Sequence, residues 1–211
     1  MGLRIWYENT VVPRFVGCGC GTEEVSELRK QVVPLAHGRV LEIGVGGGFN
    51  QPHYEPGKVT FFAGIDPNPT LLDQARERAK ANGWDAEIRE GKAEAIPFPD
   101  RSFDTVVCTY TLCSVDDQGK ALSEMRRVLA TGGRLLFLEH GLAPDEAPQK
   151  WQRRIEPVWK HLAGNCHLTR DTGSMLRAAG FDVQPIGRGY FDKAPRWAGW
   201  MEWGVAQRAG A

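Results

Sequence analysis

Apolar and polar positions along this chain follow two alternating periods. Short, nearly continuous apolar runs rich in β-branched residues occupy 39–43, 60–65, 103–109 and 134–139. Strands covered on both faces lose the in-and-out alternation of half-exposed ones, so these four runs read as neighbours in a parallel sheet. A shorter strand is expected at 86–89, and a final pair at 181–186 and 201–207. Between the runs the apolar positions fall at helical spacing. Leu71, Leu72, Ala75 and Ala79 share one face of a helix that opens at Asn68-Pro69, a cap followed by proline, and stops at Asn82-Gly83. Further helices are expected at 23–31 behind a Thr22 cap, at 118–129, at 150–162 and at 171–179. Strand–helix alternation of this kind predicts an α/β fold with a doubly wound sheet.

The first run ends in the segment Leu41-Glu42-Ile43-Gly44-Val45-Gly46-Gly47-Gly48. Gly44, Gly46 and Gly48 let the chain double back without Cβ clashes and let a ligand approach the backbone. In a doubly wound sheet, nucleotides sit in the crevice at the carboxyl end of the first strand. Asp66 closes the next strand, roughly 20 residues on, where an acid can grip a ribose diol. A dinucleotide fingerprint would need a third glycine where Phe49 stands. It would also bring a pyrophosphate that Glu42 repels. The same carboxylate attracts an ammonium. A ribose, an ammonium and no phosphate describe S-adenosylmethionine, for which Glu42, Gly44, Gly46, Gly48 and Asp66 are the expected contacts. The glycines alone would also suit a purely structural turn; acids at both strand tips argue against that reading.

Composition narrows the partners. At 211 residues, one domain spanning 1–211 can bury a full core. Lys plus Arg and Asp plus Glu number 26 each, so no global field draws the chain to nucleic acid. No apolar stretch approaches the ~20 residues of a bilayer span, and residues 1–6 lack a signal-peptide core, so a cytoplasmic chain without a membrane anchor is expected. Its five cysteines are expected as free thiols.

With these elements placed, the chain resembles the class I S-adenosylmethionine-dependent methyltransferases over nearly its whole length. The 41–48 segment resembles that family's first motif and Gly64-Ile65-Asp66-Pro67-Asn68-Pro69 its second. Residues 95–104 are similar to its "LPFPDxSFD" signature, and 126–135 to its "RVLxPGGxL" turn, with Ala130-Thr131 in place of the usual residue and proline. Within the family, Val107-Cys108-Thr109-Tyr110-Thr111-Leu112-Cys113-Ser114-Val115, Leu138-Glu139-His140 and Asn165-Cys166-His167-Leu168-Thr169-Arg170 resemble segments of the alkyl-thiol methyltransferases and their soluble relatives. The resemblance implies a Rossmann-like sheet, mostly parallel with an antiparallel last strand, and residues 1–38 as a helical segment or lid. It also implies Pro67 and Thr109 as cofactor contacts. The family commonly reads adenine with an Asp in a "GDAE" run. Gly91-Lys92-Ala93-Glu94 stands here instead, which shifts that contact to Ala93 and Glu94.

Methyl transfer from a sulfonium is an in-line displacement that mainly needs alignment and exclusion of water. A thiol acceptor needs little more, because a few per cent is already thiolate near neutral pH. His140, just past the tip of the fourth run, is the candidate to deprotonate or orient the acceptor; a loop-bonding imidazole is the alternative. His167 and Arg170 are candidates to line the acceptor pocket, beside Thr169 and Asp171 as helix caps. Tyr7 is a candidate to close over the cofactor. No metal centre is expected: Cys18 and Cys20 with Cys166 and His167 make a poor ligand set by spacing, and Cys108 and Cys113 read as small apolar fillers, with Cys113 at the border of the methyl as the alternative. Trp151, Trp159, Trp197, Trp200 and Trp203 concentrate aromatic mass in the last third, as core, dimer surface or acceptor pocket, with Trp203 expected in the core. The first choice of acceptor is a small thiol such as hydrogen sulfide or methanethiol. Nitrogen, oxygen or carbon of a small metabolite, quinone or lipid headgroup is the runner-up, and a cofactor-binding protein without turnover is a third reading.

Overall fold

A computed structural model describes Val11 and residues 20–208. The elements run α1 (Glu23–Val32), β1 (Gly38–Ile43), β2 (Val59–Asp66), α2 (Pro69–Ala81), β3 (Ala86–Glu90), β4 (Phe103–Thr109), α3 (Gln118–Val128), β5 (Leu129–His140), α4 (Glu146–Leu162), α5 (Thr172–Ala178), β6 (Phe181–Tyr190) and β7 (Trp200–Arg208).

Local chemistry starts the helices as their sequences predict. Asn68 Oδ1 accepts from the Leu71 amide at 3.1 Å with Pro69 next in line, and Asp117 Oδ1 accepts from Lys120 N at 3.0 Å. Thr22 and Asp171 cap α1 and α5 in the same way. The cap before α5 is therefore Asp171, while the Thr169 amide donates to Glu156 Oε2 instead. Helix α4 starts four residues earlier than its periodicity suggests, at Glu146 rather than Lys150, and carries Pro157 inside it.

The strands form one seven-stranded sheet in the order β3-β2-β1-β4-β5-β7-β6. Strands β1 to β5 pair in parallel, and β7 runs antiparallel to both β5 and β6. The last strand thus wedges between its two predecessors rather than extending the edge. Alternate residues of the central strands point to two cores. Leu41, Ile43, Val106, Cys108, Leu135 and Phe137 enter one, and Val40, Val107 and Leu136 the other. Covering both faces explains the unbroken apolar runs. Trp203 only partly enters the second core: it is half-buried, and its indole N–H donates to Gln31 Oε1 at 3.0 Å. An indole at a core margin keeps its N–H satisfied this way. Among the described residues, no helix is long and apolar enough to cross a membrane.

Candidate active site

The carboxyl ends of β1, β2, β4 and β5 meet along one edge of the sheet. After β1, Gly44, Gly46 and Gly48 all take positive φ, at 67°, 50° and 81°. A Cβ on Gly44 would run into the Thr111 side chain, so the loop after β4 presses directly on the turn after β1. The Asp66 carboxylate ties the second tip to the first: Oδ2 accepts from Gly46 N at 3.0 Å and Oδ1 from Asn68 N at 2.8 Å. Burial pushes its pKa up to about 6, although both amide donors pull it down.

Glu42 is buried and lies in a network that local sequence does not reveal. Tyr54 Oη donates to Oε2 at 2.8 Å, and Asn50 Nδ2 donates to Oε1 at 2.9 Å and to Thr109 Oγ1 at 3.0 Å. Arg29, from α1, donates from Nε to Asn50 Oδ1 at 2.8 Å and from its terminus to the Cys20 carbonyl. Burial pushes the Glu42 pKa up to about 8 against the Tyr54 hydrogen bond and the Arg29 charge. An incoming cation would favour the ionised form. Arg29, Asn50 and Tyr54 are thus part of the site, and they lie in segments whose only local signal is polarity inside apolar surroundings.

Ala93 is buried in the turn after β3, and the Gly91 amide donates to the Asp66 carbonyl at 3.2 Å. Pro67, Glu90, Gly91 and Lys92 line an open groove there. Glu94 Oε1 accepts from the amides of Asp116 and Asp117 at 2.7 and 3.2 Å, so it anchors the loop after β4.

Three segments meet beyond the ends of β4 and β5. Glu139, wholly buried, accepts on Oε1 from the Thr111 and Leu112 amides at 2.8 and 3.0 Å, clamping the turn after β4. That turn begins at Tyr110, whose φ of 53° is unusual for a bulky residue. The loop before α5 is laced to the same turn: His167 N donates to Cys113 O at 2.8 Å, Asn165 Nδ2 to Ser114 O at 2.8 Å, and Arg170 to Leu112 O at 2.6 Å. His140 Nε2 lies 3.0 Å from Cys166 Sγ, which also receives the Trp159 indole N–H at 3.2 Å. The donor atoms of Cys113, His140 and Cys166 all lie within 4.8 Å of one another. Hydrogen bonding from Cys166 and the neighbouring His140 hold the Cys113 thiol well below its usual range, while Cys166 is held above it. Burial, the largest single influence on His140, pushes its imidazolium down, but the Cys113 charge and hydrogen bond and the Glu139 charge together turn the net direction up.

Several expectations change here. Cys113 is not a simple apolar filler, because its sulfur joins an imidazole and a second thiol. Cys108 does pack in the core, with its thiol 3.6 Å from Glu139. His167 turns its Nδ1 to Glu156 at 2.9 Å. Arg170 spends one nitrogen on Leu112 O, so both His167 and Arg170 brace the loop whose Cys166 meets His140. The four described cysteines are free. Tyr7 and Cys18 lie outside the described residues. The late tryptophans divide: Trp159 stacks edge-on against Trp197 with centroids 5.5 Å apart, beside Cys166, whereas Trp151 is exposed.

Comparison with known proteins agrees with this geometry. A family model described as a methyltransferase domain matches residues 41–137. The YcgJ protein of Bacillus subtilis superposes with a TM-score of 0.72 over 88% of this chain and 97% of its own, at 19% identity. Residues 41–137 thus carry a methyltransferase domain, on the fold of the class I S-adenosylmethionine-dependent methyltransferases, for which S-adenosylmethionine is the methyl donor. The chain is 40% identical over 147 residues to the thiol S-methyltransferase TMT1B of Rattus norvegicus, covering 67% of this chain and 59% of that one. It is also 37% identical over 113 residues to a phosphatidylethanolamine N-methyltransferase of Cereibacter sphaeroides, covering 53% and 54%. The chain thus spans about three-fifths of the rat relative's length.

Proposed function

We propose that this chain transfers the methyl group of S-adenosylmethionine to the sulfur of a small thiol, such as hydrogen sulfide, methanethiol or another alkyl thiol. The likeness to a thiol S-methyltransferase, extending well beyond the shared cofactor motifs, carries this reading. The cluster of two thiols and an imidazole at the acceptor end supports it.

In this account Asp66 takes the ribose hydroxyls, and Glu42, steadied by Tyr54 and Asn50, supplies negative charge for the ammonium. Gly44, Gly46 and Gly48 let the cofactor lie against the backbone, with Thr109 beneath it. Pro67, Ala93 and Glu94 border the adenine. His140 activates the acceptor, and His167 and Arg170 hold the loop that covers it. Residues 1–38, with Tyr7, close over the cofactor as part of one domain spanning 1–211. The thiolate lone pair attacks the methyl carbon, the bond to the sulfonium breaks, and its electron pair stays on the departing sulfur. Alignment and water exclusion lower the barrier. A cytoplasmic setting, where thiols stay reduced, goes with this reading.

The likeness to a phosphatidylethanolamine N-methyltransferase favours one alternative, transfer to an amine. Incubating purified protein with S-adenosylmethionine and separate thiols, amines, phenols and quinols, and following S-adenosylhomocysteine, separates the two. Turnover with a thiol is expected; turnover with an amine or quinol alone would overturn the thiol reading.

A further inference from the structure

Cys113, His140 and Cys166 come from three different segments: the turn after β4, the end of β5 and the loop after α4. Nothing local holds them together. The lacing does: the Cys113 and Ser114 carbonyls are tied to the loop that carries Cys166, and Arg170 fastens that loop to Leu112 O. Two sulfurs and one imidazole nitrogen therefore converge in a pre-positioned set.

These are the ligand types and the number that catalytic zinc uses, with three protein donors and a fourth corner left for substrate. Bond lengths of about 2.3 Å to sulfur and 2.0–2.1 Å to nitrogen place the donors of a tetrahedral site with two sulfurs and one nitrogen roughly 3.5–3.8 Å apart. The observed set brackets that range, with a 3.0 Å approach of His140 Nε2 to Cys166 Sγ and all atoms within 4.8 Å. Charge also balances. Two thiolates and a neutral imidazole neutralise a divalent cation in a place where bare charges would be costly. The outer shell is partly present, because the Trp159 indole N–H already donates to Cys166 Sγ. Among the described residues, no fourth histidine, cysteine or carboxylate joins the set.

We propose that Cys113, His140 and Cys166 form a zinc site whose open corner binds the acceptor thiol as its thiolate. The second half of this proposal rests on the thiol reading above. On binding, the acceptor S–H bond breaks, its proton leaves to solvent, and sulfur keeps the electron pair as a zinc ligand. That pair then forms the bond to the methyl carbon while the sulfonium C–S bond breaks. The neutral thioether is a weak ligand and departs. His140 acts on the acceptor through the metal.

The test uses the full chain, reduced and stripped with a chelator, then titrated with cobalt(II) as a spectroscopic stand-in for zinc. One equivalent should bind, with a thiolate-to-cobalt charge-transfer band and the visible bands of tetrahedral cobalt. Cys113→Ser and Cys166→Ser should each weaken cobalt binding at least 100-fold while S-adenosylmethionine affinity, which reports folding, stays within about twofold. Adding methanethiol without the methyl donor should intensify the charge-transfer band. No metal uptake by the reduced protein, with undiminished thiol turnover under chelator, would overturn the zinc site and leave thiol methylation standing. Metal uptake and a thiol-sensitive band without thiol methylation would sustain the site and overturn the function. Loss of cobalt binding in Cys20→Ala would show a corner closed by protein and overturn the open position.

Discussion

The Tyr54 hydroxyl donates to Glu42 Oε2 at 2.8 Å inside the protein, joining the end of β1 to a loop twelve residues further on. Tyr54 also packs its ring against Phe62 at 5.1 Å, so the hydroxyl has little freedom to turn elsewhere. Tyr54→Phe keeps the packing and leaves a buried carboxylate oxygen short of a partner. Such a loss costs about 1–3 kcal/mol. Urea unfolding should show that decrease; an unchanged midpoint would mean that Tyr54 does not support Glu42.

The raised pKa of Glu42 makes a pH prediction. Its ordinary value is 4.5 and burial pushes it up to about 8 in the folded protein, with Tyr54, Asn50, Arg29 and Asp66 around it. Below pH 4.5 both states are protonated and no penalty applies. Between pH 4.5 and 8 the folded state holds a proton that the unfolded state has lost, so stability falls as pH rises, and above 8 the full penalty remains. Asp66 adds the same sign between its ordinary 3.8 and about 6. Denaturant unfolding of the ligand-free protein should therefore weaken from pH 5 to 8, and Glu42→Gln should flatten that slope. A parallel slope in the variant would contradict the buried-acid account.

Gly44 supplies a steric test. A left-handed backbone costs an L-residue about 1–2 kcal/mol, and here a Cβ would also strike the Thr111 side chain. Gly44→Ala should lose stability and S-adenosylmethionine affinity together. Adding Thr111→Ala should recover the part due to the clash but not the part due to φ. Calorimetric titration with full affinity in the single variant would dismiss the close packing of these two loops.

Much of this architecture is legible in the chain itself. The strand-end glycines, Glu42 and Asp66 announce the cofactor edge because backbone reversal and charge are local properties. Caps such as Asn68 and Asp117 are equally local. The wedging of β7 between β5 and β6 is not, since an apolar strand carries no mark of which neighbours it will pair with. Arg29, Asn50 and Tyr54 escaped for the same reason: each is one polar residue in a loop or helix, and only the fold makes them converge on Glu42 and Thr109. Cys113, His140 and Cys166 each sit in a recognisable segment, yet their juxtaposition exists only across three loops.

On the proposed reading, His140 acts on the acceptor, next to Cys113 and Cys166. His140→Gln should lower kcat/KM for a thiol at least about tenfold throughout pH 6 to 9. S-adenosylmethionine affinity should hold within about twofold, because the proposed cofactor contacts, from Glu42 and the glycine turn to Asp66, Ala93, Glu94 and Thr109, lie on other segments. Full turnover across that range would remove His140 from the reaction.

The most direct measurement is the fate of an isotopically labelled methyl group. Purified protein is supplied with methyl-labelled S-adenosylmethionine and methanethiol, and the products are resolved by mass spectrometry. The account predicts labelled dimethyl sulfide and S-adenosylhomocysteine in equal amounts, both dependent on protein and both lost in Asp66→Ala. No labelled thioether from any small thiol, while the same preparation methylates an amine, would contradict it.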